Sequence, residues 1–162
     1  MVQIEMEKSV FSGRIRPVRP DDLQVVLEMV SKLADFHGDV ATVTADELAR
    51  DILGPHPWVR ILLAEEAGKV VGYAALCPLA QMQFGARGMD MHHLYVAKSA
   101  RGTGVGKALI KASEALARAE GCRYLMVGTH PNNIVAQGIY LAMGFDRLDQ
   151  AGPRFRIKLA AA

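Results

Sequence analysis

The sequence predicts an α/β fold, a mixed sheet with helices on both faces, and three observations predict it. Apolar residues recur at helical spacing in four stretches, opening near Pro20, Thr44, Gly104 and Ile134. Residues 58–97 instead hold three runs rich in strand formers, the first two joined by the turn signal Ala67-Gly68-Lys69. From there to the end, helix-like and strand-like stretches alternate. A run of antiparallel strands followed by a strand–helix–strand unit gives a mixed sheet covered on both sides. The predicted order is β-α-α-β-β-β-α-β-α-β-β.

Residues 1–12 read as a leader without a clear pattern, and residues 13–162 as a single domain. Gly13–Val18 suits a short first strand with Ile15 and Val18 as its apolar positions. Pro20 and the Asp21-Asp22 pair suit a helix start, proline in the first turn and acids at the positive dipole end. Leu23, Val26, Leu27, Val30 and Leu33 then repeat at three and four, an amphipathic stripe running to about Ala34. Asp35-Phe36-His37-Gly38-Asp39 ends it. Thr44 with Glu47 three residues on is a capping box for a second helix, whose apolar face is Leu48, Ile52 and Leu53 and which Gly54-Pro55 stops.

Trp58–Glu65 and Val70–Leu76 are the next two strands, and Met89–Ala97 the third. Pro78–Gly88 between them reads as a loop holding Met82 and Phe84. The helix from Gly104 runs to about Glu120, where Gly121 ends it. Arg123–Thr129 is a strand, and Asn132 or Asn133 caps a helix over Ile134–Met143 that Gly144 closes. Phe145–Leu148 and Phe155–Leu159 are two further strands.

Composition narrows the function. Nineteen basic against seventeen acidic residues give a net charge of +2, too little to make nucleic acid or an anionic membrane the main partner. No apolar run reaches transmembrane length, and the charged N-terminus is not a signal peptide, so a cytoplasmic location is expected. Cys77 and Cys122 are far apart and flanked by apolar residues, which suits reduced core thiols.

The chemistry gathers at Leu94–Ala108, which reads as strand, glycine-rich turn and helix start. Gly102, Gly104 and Gly106 fall at every second position. Glycines opening a helix leave backbone N–H groups accessible and let an anion approach, and the helix dipole favours it. A P-loop needs Ser or Thr after Gly106-Lys107 and glycine at 101, but Ala108 and Arg101 stand there. The dinucleotide fingerprint starting at Gly102 needs glycine at 107, where Lys107 stands. What remains, Arg101-Gly102-Thr103-Gly104-Val105-Gly106, resembles the pyrophosphate loop of the GNAT superfamily of N-acetyltransferases, Gln/Arg-x-x-Gly-x-Gly/Ala. Asn133, Ala136, Tyr140 and Gly144-Phe145 resemble that family's second cofactor motif. The element order agrees over nearly the whole chain.

The resemblance implies acetyl-CoA as cofactor, a small amine as acceptor and no metal. It implies a sheet splayed at its centre, with pantetheine pairing to the backbone of Leu94, Tyr95 and Val96. Arg101–Lys107 would hold the pyrophosphate, with Asn133 and Ala136 at the same cofactor. Tyr140 would protonate the leaving thiolate. A homodimer is a family expectation. The alternatives are a protein or peptide N-acetyltransferase and a non-catalytic acyl-CoA sensor.

Within the superfamily, Ile15-Arg16-Pro17, Gly54-Pro55-His56-Pro57-Trp58 and Val71-Gly72-Tyr73 resemble the diamine acetyltransferase branch. That branch carries acids where His37 and His92 stand. Two histidines in place of two carboxylates remove the charge that draws a polycation.

An amine mostly protonated at neutral pH needs a base, and histidine titrates in the right range. Period-2 alternation puts Asp90 and His92 on one face of the third strand and His93 on the other, unless a bulge intervenes. His92 is the first candidate base and Asp90 the second. Phe36, His37, Asp39, Met82, Phe84 and His93 are the candidate acceptor wall, and Asp35, Asp39 and Asp90 are candidates to hold a second cationic group on the substrate. A zinc reading of His92-His93 is disfavoured, since adjacent strand residues point apart.

Overall fold

The computed structural model describes residues 10–148 and 152–159. The chain divides into two compact units, Met1–Gly128 and Thr129–Ala162. In the first, β1 (Arg14–Pro17), α1 (Leu23–Phe36), α2 (Ala45–Ile52), β2 (Arg60–Glu66), β3 (Lys69–Gln81), β4 (Ala86–Val96), α3 (Val105–Ala119) and β5 (Tyr124–Val127) follow in order. The second holds α4 (Ile134–Ala142).

The five strands lie in sequence order, β1 to β4 antiparallel and β5 parallel to β4. The β2–β3 hairpin turns at Ala67 and Gly68, both at positive φ (49° and 76°), the handedness that matches strand twist. On one face Val26, Met29 and Leu33 of α1 and Leu48 and Ile52 of α2 bury against Ile61, Leu63, Tyr73, Ala75 and Tyr95. The 26, 29, 33 spacing is the stripe read from the sequence, and each fully buried side chain stabilises by about 1.5–3 kcal/mol. The Thr44–Glu47 capping box is formed, Glu47 N–H donating to Thr44 Oγ1 at 3.2 Å and Thr44 N–H to Glu47 Oε2 at 2.8 Å.

α3 covers the other face through Val105, Leu109, Ile110, Ser113 and Ala117. Gly72 makes this close approach possible. A Cβ there would stand 2.6 Å from the Tyr95 carbonyl oxygen, with Val105 and Leu109 side chains at 3.3 and 3.4 Å. Buried Ser113 is satisfied by donating to Leu109 O at 2.8 Å.

One ionic network ties the first strand to the first helix. Arg16 donates to both oxygens of Asp22 (2.7 and 2.9 Å) and through Nε to Glu65 on β2 (2.7 Å). Asp22, 8% exposed, also accepts from Arg19 N–H at 2.7 Å. Hydrogen bonds from Arg16 hold the Asp22 carboxyl below the usual carboxylate range.

Two expectations are corrected. Pro78–Gly88 is not a loop, because β3 and β4 continue pairing out to Gln81↔Ala86, with a single 3-10 turn, Met82–Phe84, at the tip. Pro78 lacks an N–H, but paired opposite Met89 it only forgoes one donor and the ladder continues past it. Phe145–Leu148 and Phe155–Leu159 are not strands. The N–H of Phe145 is used to close α4, donating to Tyr140 O at 3.0 Å. Phe155, Ile157 and Leu159 alternate with basic residues as a strand would, but alternation sets which face is apolar and does not supply a ladder partner. No described helix is long and apolar enough to cross a membrane.

Candidate active site

The glycine loop follows β4 through a 3-10 turn, Lys98–Ala100. Gly102 (φ 76°) and Gly104 (φ 99°) are left-handed, where a side chain brings strain. Nothing stands within 4 Å of where a Cβ would sit on either, so both face open space. The first bond into α3 runs from Ala108 N–H to Gly104 O at 3.0 Å, so Val105, Gly106 and Lys107 N–H have no acceptor within the helix. The loop is fastened from behind. Thr103 Oγ1 donates to Ala100 O at 2.5 Å, Phe11 N–H to Thr103 O at 2.8 Å, and Arg101 Nε to Val96 O at 3.0 Å. An open row of N–H groups at the positive end of a fifteen-residue helix suits a pyrophosphate.

Beside this loop the sheet opens. β5 pairs with β4 only over Gly88–Met91, and β4 then continues to Val96 with β3 alone. The outer edge of His92–Val96, including Leu94, Tyr95 and Val96, has no strand partner among the described residues. This is the splay the resemblance implies.

At the start of that free edge the register slips. Ala75 faces His93 and Leu76 faces Met91, leaving His92 as an extra residue. A bulge places two consecutive side chains on one side of the strand. The His92 and His93 rings accordingly stack, centroids 4.3 Å apart and planes at 17°. This corrects the alternation argument: His93 is not opposite His92 but beside it. Asp90 faces Cys77, which lies on the same side of β3 as Ala75, so Asp90, His92 and His93 share the face covered by α1 and α2. Burial first, then the Asp90 charge, pushes the Cys77 thiol up. The argument against zinc from divergent histidines therefore fails. Among the described residues, however, no group of three His, Cys, Asp or Glu is placed to hold a metal.

His93 is half-buried, and its Nδ1 lies 3.0 Å from the hydroxyl of fully buried Tyr73. Burial, then His92, then His37 lower the His93 pKa from 6.5 to about 4. The unfolded chain takes up this proton near pH 6.5 and the folded chain near 4. Stability is thus fully present above pH 6.5 and falls as pH drops towards 4. Urea titrations at pH 7 and pH 5 check this, and His93→Gln should flatten the difference.

His37 closes α1, its N–H bonded to Leu33 and Ala34 carbonyls, and Asp39 N–H returns to Ala34 O at 2.9 Å. α1 packs on the face that His93 shares, and His37 stands at its C-terminal end. The Phe36 ring lies 5.6 Å from His37, and the Arg101 guanidinium lies 5.7 Å over Phe36, a cation–π contact between the glycine loop and α1. Met82 and Phe84 sit apart from this group. The hairpin tip is six residues beyond Ala75, about 20 Å of strand. There they are 90% and 66% exposed. Trp58 flanks a cleft of about 200 Å³ with Pro57, Cys77 and Pro78. The sequence assigns neither Tyr73 nor Phe11 to this site: Tyr73 stands out only within the Val71-Gly72-Tyr73 resemblance, and Phe11 acts through its backbone.

In the second unit, Asn133 caps α4 by accepting Ala136 N–H at 3.1 Å. Tyr140 is half-buried with its ring 5.6 Å from Phe145. Burial raises its pKa, so the phenol keeps its proton at neutral pH.

Residues 27–145, well over half of the chain, match the acetyltransferase (GNAT) family. The chain is 32% identical over 118 residues to N-acetyltransferase 8B of Rattus norvegicus, covering 73% of this chain and half the length of that relative. It is 28% identical over 144 residues to an L-methionine sulfoximine/L-methionine sulfone acetyltransferase of Pseudomonas aeruginosa, covering 80% of this chain and 83% of the relative. The fold is similar to that of an aminoglycoside acetyltransferase from an uncultured soil metagenomic sample, with a TM-score of 0.75 at 17% identity, over 91% of this chain and 96% of that one.

Proposed function

The chain belongs to the acetyltransferase (GNAT) family and is an acyltransferase; from that premise we propose that it transfers the acetyl group of acetyl-CoA to a primary amine of a small molecule by direct attack. The observation that carries this reading is the open glycine loop on α3 lying next to the unpartnered edge of β4, with histidines on one face of that edge. Residues 13–162 act as one transferase domain in this reading.

Acetyl-CoA, when bound, supplies the acyl group in activated form as a thioester. The N–H groups of Gly102–Lys107 and the charges of Lys98, Arg101 and Lys107 would hold its pyrophosphate, and the family resemblance assigns Asn133 and Ala136 to the cofactor as well. The free edge of Leu94, Tyr95 and Val96 pairs with pantetheine as a strand would, and one N–H polarises the thioester carbonyl. His92, exposed on the bulge, takes the proton of the attacking amine, with Asp90 as the second candidate. The N–C bond forms as the C–S bond breaks, and Tyr140 gives its proton to the departing thiolate, whose pKa near ~8.5 makes it a ready acceptor. Phe36, His37, Asp39 and His93 face the acceptor. The methionine sulfoximine relative supports an acceptor of amino-acid size.

Thiol release from acetyl-CoA across an amine panel tests the reading. The panel holds free amino acids, L-methionine sulfone, lysine analogues, spermidine, an aminoglycoside and a peptide N-terminus. Turnover of a small amine is expected. Turnover of the peptide alone would overturn the small-molecule acceptor. Silence throughout, with acetyl-CoA still raising Tm, would point to a binding protein.

Gly104→Val tests the cofactor half. A β-branched residue at φ 99° distorts the loop, at about 1–3 kcal/mol of strain. KM for acetyl-CoA should rise about tenfold or more while KM for the amine stays close to its original value.

A further inference from the structure

The Tyr73 hydroxyl is fully buried, and its hydrogen-bond partner among the described residues is His93 Nδ1. That geometry fixes a tautomer. A neutral phenol carries a hydrogen and needs an acceptor for it. If Nδ1 carried the imidazole proton, the phenolic hydrogen would be buried without an acceptor, a costly arrangement. With Nδ1 bare, Tyr73 O–H donates to it and both groups are satisfied. The proton of the neutral ring then sits on Nε2, so His93 presents a donor there and has no lone pair to serve as a base.

Nε2 has no hydrogen-bond partner among the described residues, yet no buried side-chain nitrogen or oxygen there is unpaired. Nε2 is therefore open to solvent. A carboxylate is the acceptor group that such a fixed donor binds most strongly, through a charge-assisted hydrogen bond. At the His37 end of α1 the Arg101 guanidinium lies over Phe36, and Asp39 follows on the turn beyond His37. Asp90, further along the same face, acts on Cys77.

We propose that His93, held by Tyr73 as the Nε2–H tautomer, is a specificity-determining donor that recognises a carboxylate on the acceptor amine. The acceptor is then of amino-acid type and not a polyamine. This rests on the transfer reading above and deepens it.

The test uses the full chain with ¹⁵N-labelled histidine in the presence of CoA, read by long-range proton–nitrogen NMR and assigned with His93→Gln. An Nε2–H tautomer at pH 7 is expected, and Tyr73→Phe should convert it to a mixture. L-methionine sulfone should move the His93 Nε2 signal, and its decarboxylated amine should not. An Nδ1–H or cationic ring overturns the proposal. So does a shift caused by acetyl-CoA alone, an equal shift with both amines, or none with either.

Kinetics give a second reading. His93→Ala should raise KM for L-methionine sulfone about tenfold or more with kcat within about threefold, and His93→Gln, which retains an N–H donor, should recover much of the loss. A fall in kcat at unchanged KM would make His93 the base and overturn the proposal. A wild-type protein that shows the carboxylate-dependent shift but acetylates nothing supports the recognition and counts against transfer alone.

Discussion

Tyr140→Phe is expected to lower kcat about 100-fold, at the modest end of general-acid effects because a thiolate leaves readily. KM for acetyl-CoA should stay within about threefold, since the aromatic ring and its packing against Phe145 are kept. Burial raises the pKa of the phenol and so keeps it protonated at neutral pH, as a proton donor requires. The variant keeps the ring and loses one oxygen, so a drop in kcat at constant Tm isolates the proton. An unchanged kcat would remove Tyr140 from the chemistry, and a collapse in Tm would assign it to packing.

Arg16→Ala is expected to cost about 3–5 kcal/mol of stability. The guanidinium holds Asp22 and Glu65 at 2.7–2.9 Å, and Asp22 is buried at the junction between β1 and α1. Removing it leaves a buried carboxylate without its principal partner. Arg16→Lys should recover only part, because an ammonium cannot reproduce the planar fork to Asp22. The pH dependence has a definite sign. With its folded pKa depressed, Asp22 contributes stability above the ordinary carboxylate pKa and loses it as pH falls through the folded value. Chemical denaturation at pH 7 and pH 3 measures this, and equal stability of Arg16→Ala and wild type at pH 7 would contradict it.

Much of the fold could be read from the sequence because periodicity and caps agree there. The α1 stripe, the Thr44–Glu47 box, the Ala67-Gly68 turn and the glycine loop each follow from local chemistry. The face of His93 could not be read, because a one-residue bulge at His92 depends on how β3 and β4 register, which period-2 alternation does not encode. The Tyr73–His93 bond joins residues twenty apart whose pairing follows from the same register. The Arg16 network depends on Asp22 and Glu65 meeting in space; the sequence offered only the Ile15-Arg16-Pro17 resemblance. Met82 and Phe84 were placed in an acceptor wall because a loop was expected where the hairpin continues. The C-terminal strands were expected from alternation in Phe155–Leu159, and alternation does not supply a neighbouring strand.

Initial velocities with acetyl-CoA and the accepted amine both varied bear most directly on transfer by direct attack. Intersecting double-reciprocal lines with release of the acetylated amine are expected, since both substrates must be present before the acyl group moves. Parallel lines, with an acetylated enzyme trapped when amine is withheld, would mean that a side chain carries the acyl group and would contradict direct attack.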